Sequence, residues 1–133
     1  MGKENKEVIF REFAEKAKKR IEEKKRFKTK QVYVEAADVT LTLHGLTEEE
    51  ISECMEMYDS ALENDKYTIY LACEELQKSS AILVEEGAMK ENERYKITEM
   101  FDLADRSALA KEVLALSGIG GESSVREVEE VKN

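Results

Sequence analysis

Between Lys30 and Ile51 the chain reads KQVYVEAADVTLTLHGLTEEEI, and two periodicities meet inside these residues. Val32 and Val34, then Val39, Leu41 and Leu43, alternate with Tyr33, Glu35, Thr40 and Thr42. A period of two puts the apolar set on one face of a strand, and the β-branched content favours that state. Ala36-Ala37-Asp38 separates the two runs, so the spacing predicts an antiparallel hairpin over residues 30–44. A lone hairpin is marginal in water, so helices must cover one of its faces. The period changes at Leu46-Thr47-Glu48-Glu49-Glu50-Ile51. Thr47 can cap a helix while Glu50, three residues on, returns a bond to its backbone. Leu46 and Ile51 occupy the two positions of a hydrophobic staple, and the early glutamates suit the positive end of the helix dipole.

Working toward the N-terminus, residues 6–24 read as a helix. Phe10, Phe13, Ala14, Ala17 and Ile21 fall at helical spacing and form one apolar stripe, with Lys and Glu on the other faces. Such a stripe has to be covered, by its own domain or by a partner, and the sequence leaves both open. Toward the C-terminus, the helix opened by Thr47 is expected to run to about Glu63, with Ile51, Met55, Tyr58 and Leu62 inward and Asn64-Asp65 ending it. A further helix is expected from Lys66 with Ile69, Ala72, Cys73 and Leu76 aligned. Gln77-Lys78-Ser79-Ser80 weakens it and Gly87 closes the region, so 66–92 reads as one helix or two. From about Glu93, Ile97, Met100, Phe101 and Ala104 give another helical face. Asp105 reads as the cap of a last helix carrying Leu109, Val113 and Leu116, with Gly118 and Ile119 as a glycine C-cap and its apolar follower. The fold class is therefore α+β and mostly α: an N-terminal helix, a short β-hairpin, then a bundle of four or so helices. The reading is a single domain over 1–119, its helical part at 47–118, and a flexible acidic tail over 120–133.

A chain of 133 residues with 41% hydrophobic content is long enough for one real core. It has no proline, no apolar run that would span a bilayer and no secretory start, so a cytoplasmic protein is expected. The net charge of −9 is uneven: residues 1–15 sum to −1, residues 16–30 to +7 and residues 31–133 to −15. An acidic body repels nucleic acid and anionic membrane, which leaves the basic segment 16–30 as the exception. Phe27 is the only aromatic there, which is poor equipment for stacking bases, and a solvated helix face accounts for the run. An acidic protein or a nucleic acid would be the partner if it is a binding patch.

Catalytic and metal chemistry find no foothold. The carboxylates lack an apolar, glycine-rich setting, His44 has no nucleophile at a recognisable spacing, and Gly118-Ile119-Gly120-Gly121 lacks the Lys-Ser/Thr of a phosphate loop. Cys54 and Cys73 sit at helical positions among apolar residues and read as buried free thiols. With His44 the only histidine, no metal set is expected. The expectation is a protein with no enzymatic activity, no cofactor and no catalytic or metal site.

The order of elements resembles the XkdN-like phage tail assembly chaperones of Gram-positive phages and prophages. The matching features are Phe10-x-x-Phe13 on the first helix, the hairpin leading to Leu46, Thr47 and Glu50, then Asp65-Lys66-Tyr67 and Leu71-Ala72-Cys73. Ala115-Leu116-Ser117-Gly118 and the acidic tail Glu127–Asn133 complete it, so the resemblance spans most of residues 7–133. It implies a non-catalytic role in tail morphogenesis: coating the aggregation-prone, helical tape measure protein while tube subunits polymerise, and absence from the mature virion. The implied partners are the tape measure protein and a tail tube protein, with self-association left open. Phe10, Phe13, Ala17 and Ile21, with Val125, Val128 and Val131 of the tail, are the candidate contacts, by helix-in-groove packing. Two competing readings are a nucleic-acid-associated regulator of a mobile element using 16–30, and a structural virion component.

Overall fold

In the computed structural model, which describes residues 3–25, 28–120 and 123–128, helix α1 spans Lys3–Lys24 and strands β1 (Thr29–Val34) and β2 (Val39–His44) follow it. The strands pair antiparallel from Thr29 opposite His44 to Val34 opposite Val39. Their connection is a 3₁₀ turn, Glu35–Ala37, closed by Asp38 at φ +50°. Asp can hold that left-handed geometry because its short polar side chain bonds locally, and its carboxylate accepts from the Tyr33 hydroxyl at 2.7 Å. The alternation works as expected on β2, where Leu41 and Leu43 face the core while Thr40 is exposed.

Four helices and a 3₁₀ segment follow, α2 (Glu48–Glu56), α3 (Ala61–Leu71), α4 (Glu74–Glu85), the 3₁₀ segment Glu91–Met100, and α5 (Leu103–Leu116), of which α4 and α5 pack on the hairpin. The α+β, mainly helical architecture is as the sequence predicts. Helix α3 is central and packs against α2, α4, α5 and the 3₁₀ segment. Leu43, Ile69, Cys73, Phe101 and Val113 are among the most deeply buried side chains. Cys54 and Cys73 are buried free thiols, as expected. Burial pushes both thiols up, Cys73 to about 11.

Several boundaries differ from the sequence reading, each for a tertiary reason. The helix opened by Thr47 stops at Glu56, not Glu63, and Met55 and Leu62 are exposed where they were expected inward. Asn64, expected to end that helix, belongs to the next one. Its side chain accepts from the Tyr58 amide at 2.8 Å and donates to the Met55 carbonyl at 3.0 Å, so it holds the bend between α2 and α3. Residues 66–92 are not one helix: α3, begun at Ala61 before Lys66, ends at Leu71. Cys73 is extended, bridges Leu43, and the Ala72 carbonyl accepts from the His44 amide at 3.0 Å. The edge of the hairpin thus takes up the backbone groups that a continuous helix would have used.

Gln77–Ser80, expected as a weak point, lies inside α4. There Gln77 donates to the carbonyls of Tyr70 and Leu71, and Ser80 to that of Gln77. The Arg94 guanidinium joins them, at 3.1 Å from the Ser80 hydroxyl and 2.7 Å from the Gln77 carbonyl. The face expected from Glu93 is a 3₁₀ segment that buries Ile97 and, just beyond it, Phe101, but leaves Met100 and Ala104 exposed. The last helix takes Asp102, not Asp105, as its N-cap residue, because Phe101 and Asp102 are extended. Its far end is as predicted. Gly118, at φ +86°, donates to Ala115 and Ile119 donates to Leu114, the paired bonds of a Schellman close.

Candidate partner-binding surface

Helix α1 has 22 residues, about 33 Å of helix, and packs extensively against no other element. Near its last turn Ile21, Lys24 and Lys25 border a cleft of about 580 Å³ with Leu46, Thr47, Glu48 and Leu116, and Lys24 lies 3.7 Å from the Glu48 carboxylate. Along the rest of the helix the stripe is open. Phe10 is 68% exposed, Phe13 73% and Ile21 56%, while Ala17 is half-buried. Phe10 and Phe13 therefore do not complete the core. Val8 and Ile9, which the sequence reading left out, are also about half exposed. Ile9 lies one turn before Phe13 and widens the apolar face; the clue was its i,i+4 spacing to Phe13.

Charge on α1 is arranged around this stripe. Lys18 is one turn beyond Ala14, Arg20 and Lys24 are three residues beyond Ala17 and Ile21, and Lys25 is one turn beyond Ile21. Glu12, Glu15, Glu22 and Glu23 gather with Lys19 on the opposite face by the same arithmetic. Lys18, Arg20, Lys24 and Lys25 thus border the hydrophobic surface toward the C-terminal half of the helix, while Lys19 faces away from it. Phe27 lies outside the described residues.

The tail valines fall elsewhere. Residues 123–128 form no helix, and Val125 and Val128 are 87% and 89% exposed. Val131 lies outside the described residues. Val125 and Val128, so fully exposed, stand on a segment separate from the helix that carries the stripe.

A third surface was not foreseen. At the tip end of the hairpin, Val39 and Leu41 of β2, Leu76, Ile82 and Leu83 of α4, and Ile97 and Met100 of the 3₁₀ segment line an open, mainly apolar groove of about 630 Å³. Ile82 and Met100 stay about half exposed in it. Helical periodicity marks such residues as inward, and it cannot distinguish a covered face from a groove.

His44 ends β2 half-buried, with Nδ1 2.9 Å from the Gly45 carbonyl oxygen. Tyr58, Tyr67 and Tyr95 fill the space between α2, α3 and the 3₁₀ segment. The Tyr58 and Tyr95 rings stack at 4.9 Å, and the Tyr67 and Tyr95 hydroxyls donate to Glu53 and Glu63. Lys66 lies almost buried below them, bonded to Glu63 at 2.8 Å and Glu99 at 3.3 Å. These contacts are saturated by one another. Among the described residues no group of three or more His, Cys, Asp or Glu is placed to hold a metal ion, and no helix is long and apolar enough to cross a membrane.

Comparison of the chain with protein-family models, curated proteins and solved structures finds no match to any of them.

Proposed function

We propose that this chain is a tail assembly chaperone of the XkdN-like kind, holding a helical tape measure protein during assembly of the tail tube without making or breaking a bond. One observation supports this most: α1 offers Phe10, Phe13 and Ile21 to solvent on a helix that its own body leaves uncovered. A helix with an apolar stripe docks onto another helix or into a groove through side chains one turn apart, the spacing Phe10, Phe13, Ala17 and Ile21 have. Helical clients with long hydrophobic seams aggregate unless those seams are covered, and a body of net −15 over residues 31–133 keeps such a complex dispersed. Exposed valines at 125 and 128 supply a second contact on a separate segment.

Co-expression with a tape measure protein tests the reading. The two should co-elute in gel filtration, and the client should stay in the supernatant only when the chaperone is present. Phe10→Glu with Phe13→Glu should abolish co-elution while leaving the circular dichroism of the body intact. A client that aggregates equally with and without this chain overturns the proposal. Tight retention of oligonucleotides at physiological salt would favour the regulator reading, which the solvent exposure of Lys16, Lys18, Lys19 and Arg20 keeps in view.

A further inference from the structure

Of the two outer edges of the hairpin, one is engaged among the described residues and the other is open. On β2 the His44 amide donates to the Ala72 carbonyl at 3.0 Å and the Thr42 amide to the Glu75 carboxylate at 2.8 Å, so both residues turn their backbone groups away from β1. Antiparallel ladders alternate, and the rest of the pattern follows. Lys30, Val32 and Val34 exchange bonds with Leu43, Leu41 and Val39, while the N–H and C=O groups of Thr29, Gln31 and Tyr33 point outward from the sheet. All three residues are exposed, and no hydrogen bond among the described residues reaches those outward groups.

An open edge is a template for another strand, and chains blunt it with proline, a bulge or a free lysine. Strand β1 has no proline, and its register runs without a bulge from Thr29 to Val34. Its one lysine, Lys30, is drawn onto α5 with the ammonium 2.9 Å from the Glu112 carboxylate.

Two features say which strand fits. The outward groups are spaced evenly about Gln31, so a two-fold axis at that residue matches every donor with an acceptor of an identical edge. Thr29 then faces Tyr33 of the second copy and Gln31 faces its own counterpart, each pair exchanging both bonds. Charge is also graded along the edge, with Lys28 and Lys30 toward the base of the hairpin and Glu35 and Asp38 at its tip. Antiparallel addition of a second copy sets each basic end beside the other's acidic end, whereas parallel addition sets like beside like.

We propose that β1 is a self-association edge: two copies of this chain pair β1 to β1, antiparallel, with Gln31 on the two-fold axis, and their hairpins become one four-stranded sheet. On the core side Val32 of each copy meets the methylene stem of the other's Lys30, and on the outer side Tyr33 meets Thr29. Edge pairing buries little area beside a standard interface, so the dimer is weak and depends on concentration. It uses none of the stripe of α1, so this inference stands apart from the proposed client.

Sedimentation velocity of the full chain, from the low micromolar range toward millimolar, is the test. The wild-type chain should pass from monomer to dimer across that range, and at lower concentration when salt is low. Gln31→Pro removes an outward N–H and no bond of the hairpin; it should weaken the dimer by roughly 30-fold or more with the circular dichroism unchanged. Gln31→Cys should form a disulfide-linked dimer under mild oxidation, because a hydrogen-bonded pair sets its Cα atoms about 5.5 Å apart, while Tyr33→Cys, displaced from the axis, should not. Cys54 and Cys73 are buried, and the wild-type chain controls for them. Phe10→Glu/Phe13→Glu should leave the dimer unchanged. A wild-type chain that stays monomeric throughout overturns the proposal. So does a Gln31→Pro chain that dimerises like wild type, or a cross-link at position 33 in place of 31. Loss of the dimer in the Phe10/Phe13 variant would also overturn it, by assigning association to the helix.

Discussion

Gly45 joins the hairpin to the helical part at a point where there is no room for a side chain. A Cβ built there would lie 2.7 Å from the carbonyl oxygen of Leu116, and that oxygen belongs to the backbone of α5 and cannot swing aside. The reason for glycine is therefore space, not backbone conformation. The neighbouring bonds tie the same junction: the Gly45 amide donates to Lys28, and the Leu46 amide to the Ser117 hydroxyl at 2.8 Å. Gly45→Ala should cost about 1–3 kcal/mol through forced separation of the hairpin from α5, read as a lower denaturation midpoint at unchanged slope. Nothing in the sequence marks this glycine, because the atom it must avoid lies far along the chain. The same holds for Asn64, whose role in tying α2 to α3 depends on how two helices meet.

Elements written in local signals were legible, and elements set by distant contacts were not. The hairpin was readable because its alternation is carried by the residues themselves. The start of α2 was readable because both halves of its capping box lie within four residues: the Thr47 hydroxyl accepts from the Glu50 amide at 3.1 Å, and Glu50 accepts from the Thr47 amide at 3.0 Å. Thr47→Ala should lose about 1 kcal/mol, seen as a drop of roughly 3–5 °C in Tm. The break at Ala72-Cys73 carries no glycine or proline and is imposed by the edge of β2. The candidate surface followed the same division. The stripe Phe10, Phe13, Ala17 and Ile21 could be found from spacing alone, but whether the body covers it could not. The hairpin-tip groove, assembled from three elements, left no trace in any one of them.

Over the whole molecule, the acid-side stability rests on carboxylates paired inside the helical part. The Lys66 ammonium bonded to Glu63 holds that carboxyl below the usual glutamate range. A carboxyl whose folded pKa lies below its unfolded value of about 4.3 stabilises the fold above that pH, and the contribution disappears as pH falls through the folded value. Asp65 opposes it, since burial pushes its carboxyl up, against the pull of Arg106, and lowering the pH relieves the cost of holding its charge. The Glu63 effect should dominate because Lys66, almost buried, would be left with Glu99 as its remaining carboxylate partner. Thermal melts should show Tm falling from about pH 5 to about pH 3. In Glu63→Gln the profile should be flatter over that interval and lower at neutral pH; an unchanged profile would remove Glu63 from the account.

The sparse attachment of α1 has one more consequence. A residue that supports no core can be replaced at no expense to folding, so most of the first two dozen positions are released from the demand that governs Leu43 or Val113. Their composition is free to answer to whatever they touch. Adaptation to a new binding partner could proceed along that helix, substitution by substitution, while the remainder of the chain stayed folded and unaware of it.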